Sequence, residues 1–276
     1  MKKAILVVSF GTTHQDTLKL TIEKIEHKVR EEFKDYEIRR AFTAHIIIKV
    51  LKERDGIYID TPEEALGKLR DEGYEEVIVQ PLHIIPGAEF DYIKLVVDKF
   101  KEEKAFKSIK LGRPALFFQK GEDTPDDYSI FINSIKGIIP KDKEMVFMGH
   151  GTAHHANACY SCLQYMFIKK AMHNVHIGTV DGYPTLGEII EILKNKQVKE
   201  LKLAPLMLVA GDHAKNDMAS EEEDSWQSML KAEGMEVDIY LHGLGEIDAF
   251  QNIYLEHIKD AIEGTYDRFM TTHKKV

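Results

Sequence analysis

The stretch LKLAPLMLVAGDHAK (Leu201–Lys215) decides how this chain folds. A short β-rich run ends in Pro205-Leu206, and a loop carrying Gly211 and His213 follows it. The same arrangement stands earlier as VIVQPLHIIPGAEFD (Val77–Asp91), with Pro81-Leu82 aligned on Pro205-Leu206 and Gly87 on Gly211. A second block repeats in step, VVSFGT (Val7–Thr12) matching FMGHGT (Phe147–Thr152). The two blocks lie 72 residues apart in the first copy (Ser9 to Pro81) and 56 in the second (Gly149 to Pro205), so insertions separate the copies.

Working outward, β-rich runs alternate with longer amphipathic segments. The strand candidates are KAILVVS, YEIRRAF, EEVIVQPL and SIKLGRPAL, starting at Lys3, Tyr36, Glu75 and Ser108. EMVFMGH, VHIGTVDG, ELKLAPLML and EVDIYLHG follow from Glu144, Val175, Glu200 and Glu236. Between them lie helix-like stretches such as TLKLTIEKIEHKVREEF, whose apolar positions Leu18, Leu20, Ile22, Ile25 and Val29 roughly follow a helical stripe. This alternation predicts an α/β protein of two similar domains, each a mainly four-stranded parallel sheet flanked by helices. The polar stretch QKGEDTPDD (Gln119–Asp127) marks the boundary, giving domains 1–125 and 126–276. The end FMTTHKKV (269–276) reads as a frayed extension.

Composition narrows the function. Lys and Arg number 37 against 46 Asp and Glu, a formal charge of -9, which opposes nonspecific nucleic-acid binding and leaves room for a cationic ligand. The 276 residues are 43% hydrophobic, enough for a substantial core, yet no run reaches the about 20 apolar residues of a membrane span. MKKAILVVSF lacks a cleavage site and reads as a strand, and two cysteines make no disulfide framework, so a cytoplasmic protein is expected. There is no GxxxxGK[ST] phosphate loop, no G-x-G-x-x-G after a strand and no serine elbow, so neither nucleotide chemistry nor a hydrolase nucleophile is indicated.

Parallel sheets bind ligands at the carboxyl ends of their strands, where both repeated blocks fall. Under the alignment His150 takes the place of Phe10 and His213 that of Glu89, and two facing domains would present all four to one cleft. His150 stands between two glycines directly after an apolar strand, where glycine lets a ligand approach and leaves the ring unshielded. A lone histidine is more often a satisfied core residue; strand-end position and repeat reverse that here. His213 has an ordinary alternative as part of a capping loop with Asp212 or Asp217, and its partnership with His150 favours function. Asp181, in GTVDGYP, sits in a common turn, but beside two imidazoles it completes a donor set suited to a divalent transition metal. Glu89 opens a helix, which the helix dipole alone would explain; the cleft gives it a role in substrate or proton handling. His83, Gly87 and Gly211 are candidates for lining the same pocket, and His45 is an ordinary helix start.

FMGHGTAHHANACYSC (Phe147–Cys162) is rich in metal-type ligands, but most of it should be helix. Cys159 and Cys162 form a CxxC with no second pair for a structural zinc. Placed about two turns into that helix, they suit packing better than thioredoxin-like chemistry. His154 and His155 are not expected as primary ligands. SEEEDSW (Ser220–Trp226) reads as a solvated acidic face before a helix.

Ser-Phe-Gly-Thr ending the first strand, Gly-His-Gly-Thr-x-His-x-Ala-Asn-x-x-Tyr in the second half, and Pro-Leu-Met-Leu-Val-Ala-Gly-Asp-His together resemble the anaerobic cobalt chelatases of the CbiK type. These are ATP-independent (class II) sirohydrochlorin cobaltochelatases. The resemblance covers nearly the whole chain. It implies insertion of Co2+, as substrate metal, into sirohydrochlorin or a closely related precorrin on the way to cobalamin, with no nucleotide cofactor and with self-association. The family's metal ligands, two histidines and a glutamate before a Gly-Tyr-Pro turn, match His150 and His213 and place Asp181 at the third position, one methylene shorter. His150 then acts as proton acceptor and metal ligand, with Glu89 and Phe10 facing the macrocycle. The rival readings are an iron or nickel chelatase for sirohydrochlorin or porphyrin, and a metal or tetrapyrrole carrier without turnover.

Overall fold

The structure is a computed structural model that describes residues 1–267. The C-terminal stretch FMTTHKKV lies outside the described residues. In chain order the first half runs β1 (Lys3–Ser9), α1 (Gln15–Leu20), α2 (Ile22–Glu32), β2 (Glu37–Phe42), α3 (His45–Asp55), α4 (Pro62–Asp71), β3 (Glu76–Pro81), α5 (Ala88–Glu102) and β4 (Ser108–Leu111). The second runs α6 (Asp127–Ile135), β5 (Glu144–Gly149), α7 (Ala158–Lys169), β6 (Val175–Thr179), α8 (Leu186–Asn195), β7 (Glu200–Pro205), α9 (Trp226–Ala232), β8 (Glu236–Ile239) and α10 (Asp248–Glu263). All eight expected strands form. They make two four-stranded sheets of the same order, β2-β1-β3-β4 and β6-β5-β7-β8, parallel throughout.

The central strands are buried because helices cover both faces, which is why KAILVVS shows no alternation: from Ala4 to Ser9 every residue of β1 is buried. The repeat is visible in single hydrogen bonds. Val8 pairs with Pro81 and Leu82 N donates to Val8 O (2.7 Å); Met148 pairs with Pro205 and Leu206 N donates to Met148 O (2.8 Å). It extends to helix starts that the sequence comparison did not align. Thr61 and Glu64 form a capping box on α4, and Thr185 and Glu188 form one on α8, each threonine 20 residues before its strand-end proline. Most of the inserted length in the first copy is therefore α3, since Phe42 to Thr61 spans 19 residues and Thr179 to Thr185 only 6.

Three details depart from the sequence reading. The long amphipathic stretch breaks into α1 and α2 at the buried Thr21, whose hydroxyl donates to Thr17 O (2.5 Å) and whose amide bonds Leu18 O three residues back. The run from Ser108 leaves the sheet after Leu111, because Gly112 N makes the last ladder bond to Val79 O and Arg113 turns into a buried ion network. The run from Glu236 ends its pairing at Ile239.

Two compact units result among the described residues: Met1–Thr13 with Glu23–Asp127 and 251–267, and His14–Ile22 with Tyr128–Phe250. The chain changes unit beside the boundary read from the sequence, but α10 from Gln251 packs with the first unit rather than the second. The reason is polar. Tyr254 Oη donates to Leu82 O (2.9 Å), His257 Nδ1 donates to Arg113 O (2.9 Å), and Asp260 takes Arg113 Nη1 at 2.6 Å. Asp127, 1% exposed, accepts from Arg113 Nε at 3.1 Å and from Phe118 N at 2.8 Å. Among the described residues no helix is long and apolar enough to cross a membrane.

Burial alone would raise the Asp127 carboxyl, but hydrogen bonds and charge from His257 and Arg113 outweigh it and hold it below the usual range. Its contribution is thus complete above the ordinary carboxylate pKa of about 4 and fades as pH falls through the depressed value. Asp127→Ala strands Arg113 with a half-satisfied charge and should cost about 3–5 kcal/mol, read as a lowered thermal midpoint at neutral pH. The difference from wild type should shrink below pH 4.

Candidate metal centre

Each ligand candidate of the second unit follows the carboxyl end of a strand. β5 is the pivot, with β6 on one side and β7 on the other. His150 comes immediately after β5, in a loop latched to the turn after β6: Val180 N donates to Gly149 O (3.1 Å) and Asp181 N to His150 O (2.8 Å). The two glycines serve this packing. Gly151 has φ +80°, and a Cβ there would lie 2.8 Å from the backbone of Asp181 and Gly182; one at Gly149 would lie 2.6 Å from the Tyr160 ring. Close approach is required here by the protein's own backbone, not only by a ligand as the sequence reading held.

The remaining residues of the ligand-rich stretch brace this loop. Asn157 Oδ1 accepts from Thr152 N (3.1 Å) while its Nδ2 donates to Tyr183 O (2.7 Å), tying the His150 loop to the Asp181 turn. His154 Nδ1 accepts from Ala156 N (3.2 Å) and caps a 3-10 turn. α7 begins at Ala158, so Cys159 lies in its first turn rather than two turns in; the 3-10 turn uses the residues assigned to helix. Neither cysteine forms a disulfide, and burial raises the Cys159 thiol, the opposite of a reactive thiolate. The acidic run Glu221–Asp224 is exposed, with Ser225 capping α9, and α3 starts at His45 as expected.

His213 stands immediately before a wide π-helical turn (Ala214–Met218) that follows β7. Its ring meets that of His150 edge to face, centroids 4.4 Å apart at 81°. His213 Nδ1 donates to Asp217 Oδ2 at 2.5 Å, and His150 Nδ1 donates to Gly151 O at 3.1 Å. In both rings a carbonyl or carboxylate acceptor therefore keeps the proton on Nδ1 and turns Nε2 into the lone-pair nitrogen. Asp181, largely exposed, holds Oδ2 3.8 Å from His150 Nδ1. Among the described residues no three His, Cys, Asp or Glu side chains converge as a group that could hold a metal ion. The arrangement is two touching imidazoles with a carboxylate at their edge.

Asp217, which the sequence reading weighed only as a cap, was legible as His-x-x-x-Asp at helical spacing. His14 was not. It lies on the approach to α1 and donates Nε2–H to Asp212 Oδ1 (2.8 Å), while Lys215 Nζ donates to its Nδ1 (3.2 Å) and contacts Asp16 (3.4 Å). The His213 turn is thereby pinned to α1.

The first unit repeats the frame with different chemistry. Phe10, 43% exposed, follows β1, and the next residue, Gly11, has φ +97° with no room for a Cβ beside Phe42. Gly87 caps α5, and Glu89 lies half-buried in its first turn. His83 follows β3 with both ring nitrogens buried and without a hydrogen-bond partner, and burial pushes its pKa down to about 4.

A model of the cobalt chelatase (CbiK) family matches residues 3–263. The chain is 40% identical to the sirohydrochlorin cobaltochelatase of Salmonella typhimurium, over 95% of this chain and 97% of that one. It is 34% identical to the sirohydrochlorin cobaltochelatase CbiKC of Nitratidesulfovibrio vulgaris, over 96% and 93%. SirB from Bacillus subtilis, solved with Fe3+, shares the fold at TM-score 0.65 and 15% identity, covering 98% of this chain and 99% of that one. This chain belongs to the cobalt chelatase (CbiK) family.

Proposed function

We propose that this protein inserts Co2+ into sirohydrochlorin or a closely related precorrin, without a nucleotide, as a step toward cobalamin. Family membership supports the reaction, and the touching imidazoles of His150 and His213 support the site. Metal insertion must hold the ion on one face of the ring, take two protons from pyrrole nitrogens and then release the ion to them. Two imidazole nitrogens with an adjacent carboxylate bind cobalt(II) while leaving coordination positions open for the incoming nitrogens. His150 serves as ligand and proton acceptor, His213 as second ligand, and Asp181 as a third that would have to swing from its present place. Glu89 shares the proton handling.

Phe10, His83, Gly87, Glu89 and Gly211 are proposed macrocycle contacts, each at or just beyond the carboxyl edge of its own sheet. Domains 1–125 and 126–276 are proposed as the units of duplication, and the protein as a cytoplasmic one that self-associates.

Absorbance spectroscopy with sirohydrochlorin and Co2+, against Fe2+, Ni2+ and enzyme-free controls, tests the reaction. Wild type should accelerate cobalt insertion, and His150→Ala and His213→Ala should each lose about 10²-fold or more in kcat/KM. Binding of macrocycle without accelerated insertion would make the protein a carrier, and acceleration of iron or nickel alone would reassign the metal.

His83 gives a second test. Its depressed pKa means that the unfolded chain takes up a proton below about pH 6.5 that the folded protein refuses, so this residue weakens the fold as pH falls toward 4. His83→Leu should raise the thermal midpoint, more at pH 5.5 than at pH 7.5, while raising KM for the macrocycle.

A further inference from the structure

The acceptor on His213 points beyond the ligands themselves. Asp217 Oδ2 sits 2.5 Å from His213 Nδ1, too close for an ion to bind between them. The carboxylate therefore competes with nothing at that nitrogen; it occupies it. The two residues are four apart, His213 immediately before and Asp217 within the π-helical turn Ala214–Met218, a rare conformation that recurs at functional sites. His150 has the same nitrogen engaged by Gly151 O. One ring thus hydrogen-bonds to a backbone carbonyl, with the Asp181 carboxylate 3.8 Å off, and the other directly to a carboxylate.

We propose that Asp217 is a positioning residue for metal insertion. It fixes the His213 imidazole with Nδ1 protonated and Nε2 presented to the substrate ion, and its charge makes Nε2 the more electron-rich of the two cobalt-facing nitrogens. A carboxylate behind a ligating histidine fixes ring orientation and raises basicity, typically worth about 10–100-fold in metal affinity or activity. The His14–Asp212 and Lys215–Asp16 contacts hold the backbone of the same turn, so that Asp217 has a fixed base from which to act. This inference rests on the reading of His213 as a ligand.

The test uses the full chain as wild type, Asp217→Ala, Asp217→Asn, His213→Ala and the double variant His213→Ala/Asp217→Ala. Co2+ alone is titrated calorimetrically, and insertion into sirohydrochlorin is followed at varied Co2+. Asp217→Ala should weaken Co2+ binding about 10–100-fold and raise KM for cobalt while leaving KM for the macrocycle unchanged. Asp217→Asn, which keeps an acceptor oxygen without the charge, should fall between, and it carries the comparison if Asp217→Ala fails to fold. In the His213→Ala background the loss of Asp217 should add nothing. Wild-type Co2+ affinity in both Asp217 variants overturns the proposal while leaving His213 as a ligand, and so does a loss that adds in full to that of His213→Ala. Wild-type affinity and turnover in His213→Ala itself would overturn the ligand reading and this inference together.

Discussion

The register of β5 against β7 is the constraint on which the candidate metal centre depends. Met148 pairs with Pro205, and Leu206 N closes the last ladder bond to Met148 O at 2.8 Å. Adjacent strands lie about 4.8 Å apart, so whatever follows the two strand ends starts one strand-spacing apart. His150 is two residues past Met148, and His213 returns over the edge eight residues past Pro205. In the order β6-β5-β7-β8 the crossovers leave β5 in opposite directions, which opens a crevice between the ends of β5 and β7. The imidazole pair occupies that switch point. A slip of β7 by one residue would exchange its two faces and carry the following loop with it.

The same register exists in the first unit, where Val8 pairs with Pro81, yet the corresponding positions are Phe10 and Glu89. Duplication has thus reproduced the strand-end frame down to the proline, the ladder bond and the helix-capping threonine, while the chemistry differs at the two positions that matter. Packing explains why the frame persists. Gly11 and Gly151 both adopt left-handed backbone where an added Cβ would strike a neighbour, Phe42 in one case and the Asp181 turn in the other. Phe10 and His150, directly before those glycines, are outward enough to be exchanged without disturbing the loop.

This difference between frame and decoration also accounts for what the sequence disclosed. Eight strands, their parallel arrangement and the duplication were legible, because central strands buried on both faces must be apolar runs bounded by turns. The strand-end positions of His150 and His213 were legible because the repeat located them, and that of Asp181 because it follows the β-rich run between the two aligned blocks. Features set by tertiary contacts were not. Thr21 looks like one more residue in an amphipathic stripe until its hydroxyl back-bonds and breaks the helix. α10 reads as part of the second half, and only the buried Arg113 shows that it packs in the first unit. The His14 contact lay unseen for the same reason, since His14 is 198 residues from Asp212; the Asp217 contact, four residues from His213, was legible in its spacing but read as an ordinary cap.

A site that delivers an ion differs from one that keeps it. Structural metal centres close four ligands around the ion, and their affinity then resists release. Here two imidazoles meet edge to face, Asp217 is taken up at His213 Nδ1, and Asp181 stands 3.8 Å from His150 Nδ1, largely exposed. As the proposed site, such an incomplete set would bind an ion through few bonds and leave its remaining coordination to water, which pyrrole nitrogens could replace one by one. Proton removal follows the same geometry. An imidazole whose Nδ1 is already committed to an acceptor can take a proton only at Nε2, the nitrogen that would also hold the metal. Ligation and proton acceptance therefore exclude one another on a single ring at one time. Two rings in contact remove the conflict, since one can hold the ion while the other takes a pyrrole proton. On the proposed reading the partners behind them are unequal, a carbonyl for His150 and a carboxylate for His213, so His213 would hold the ion while His150 takes the proton, ligating only when it is not protonated.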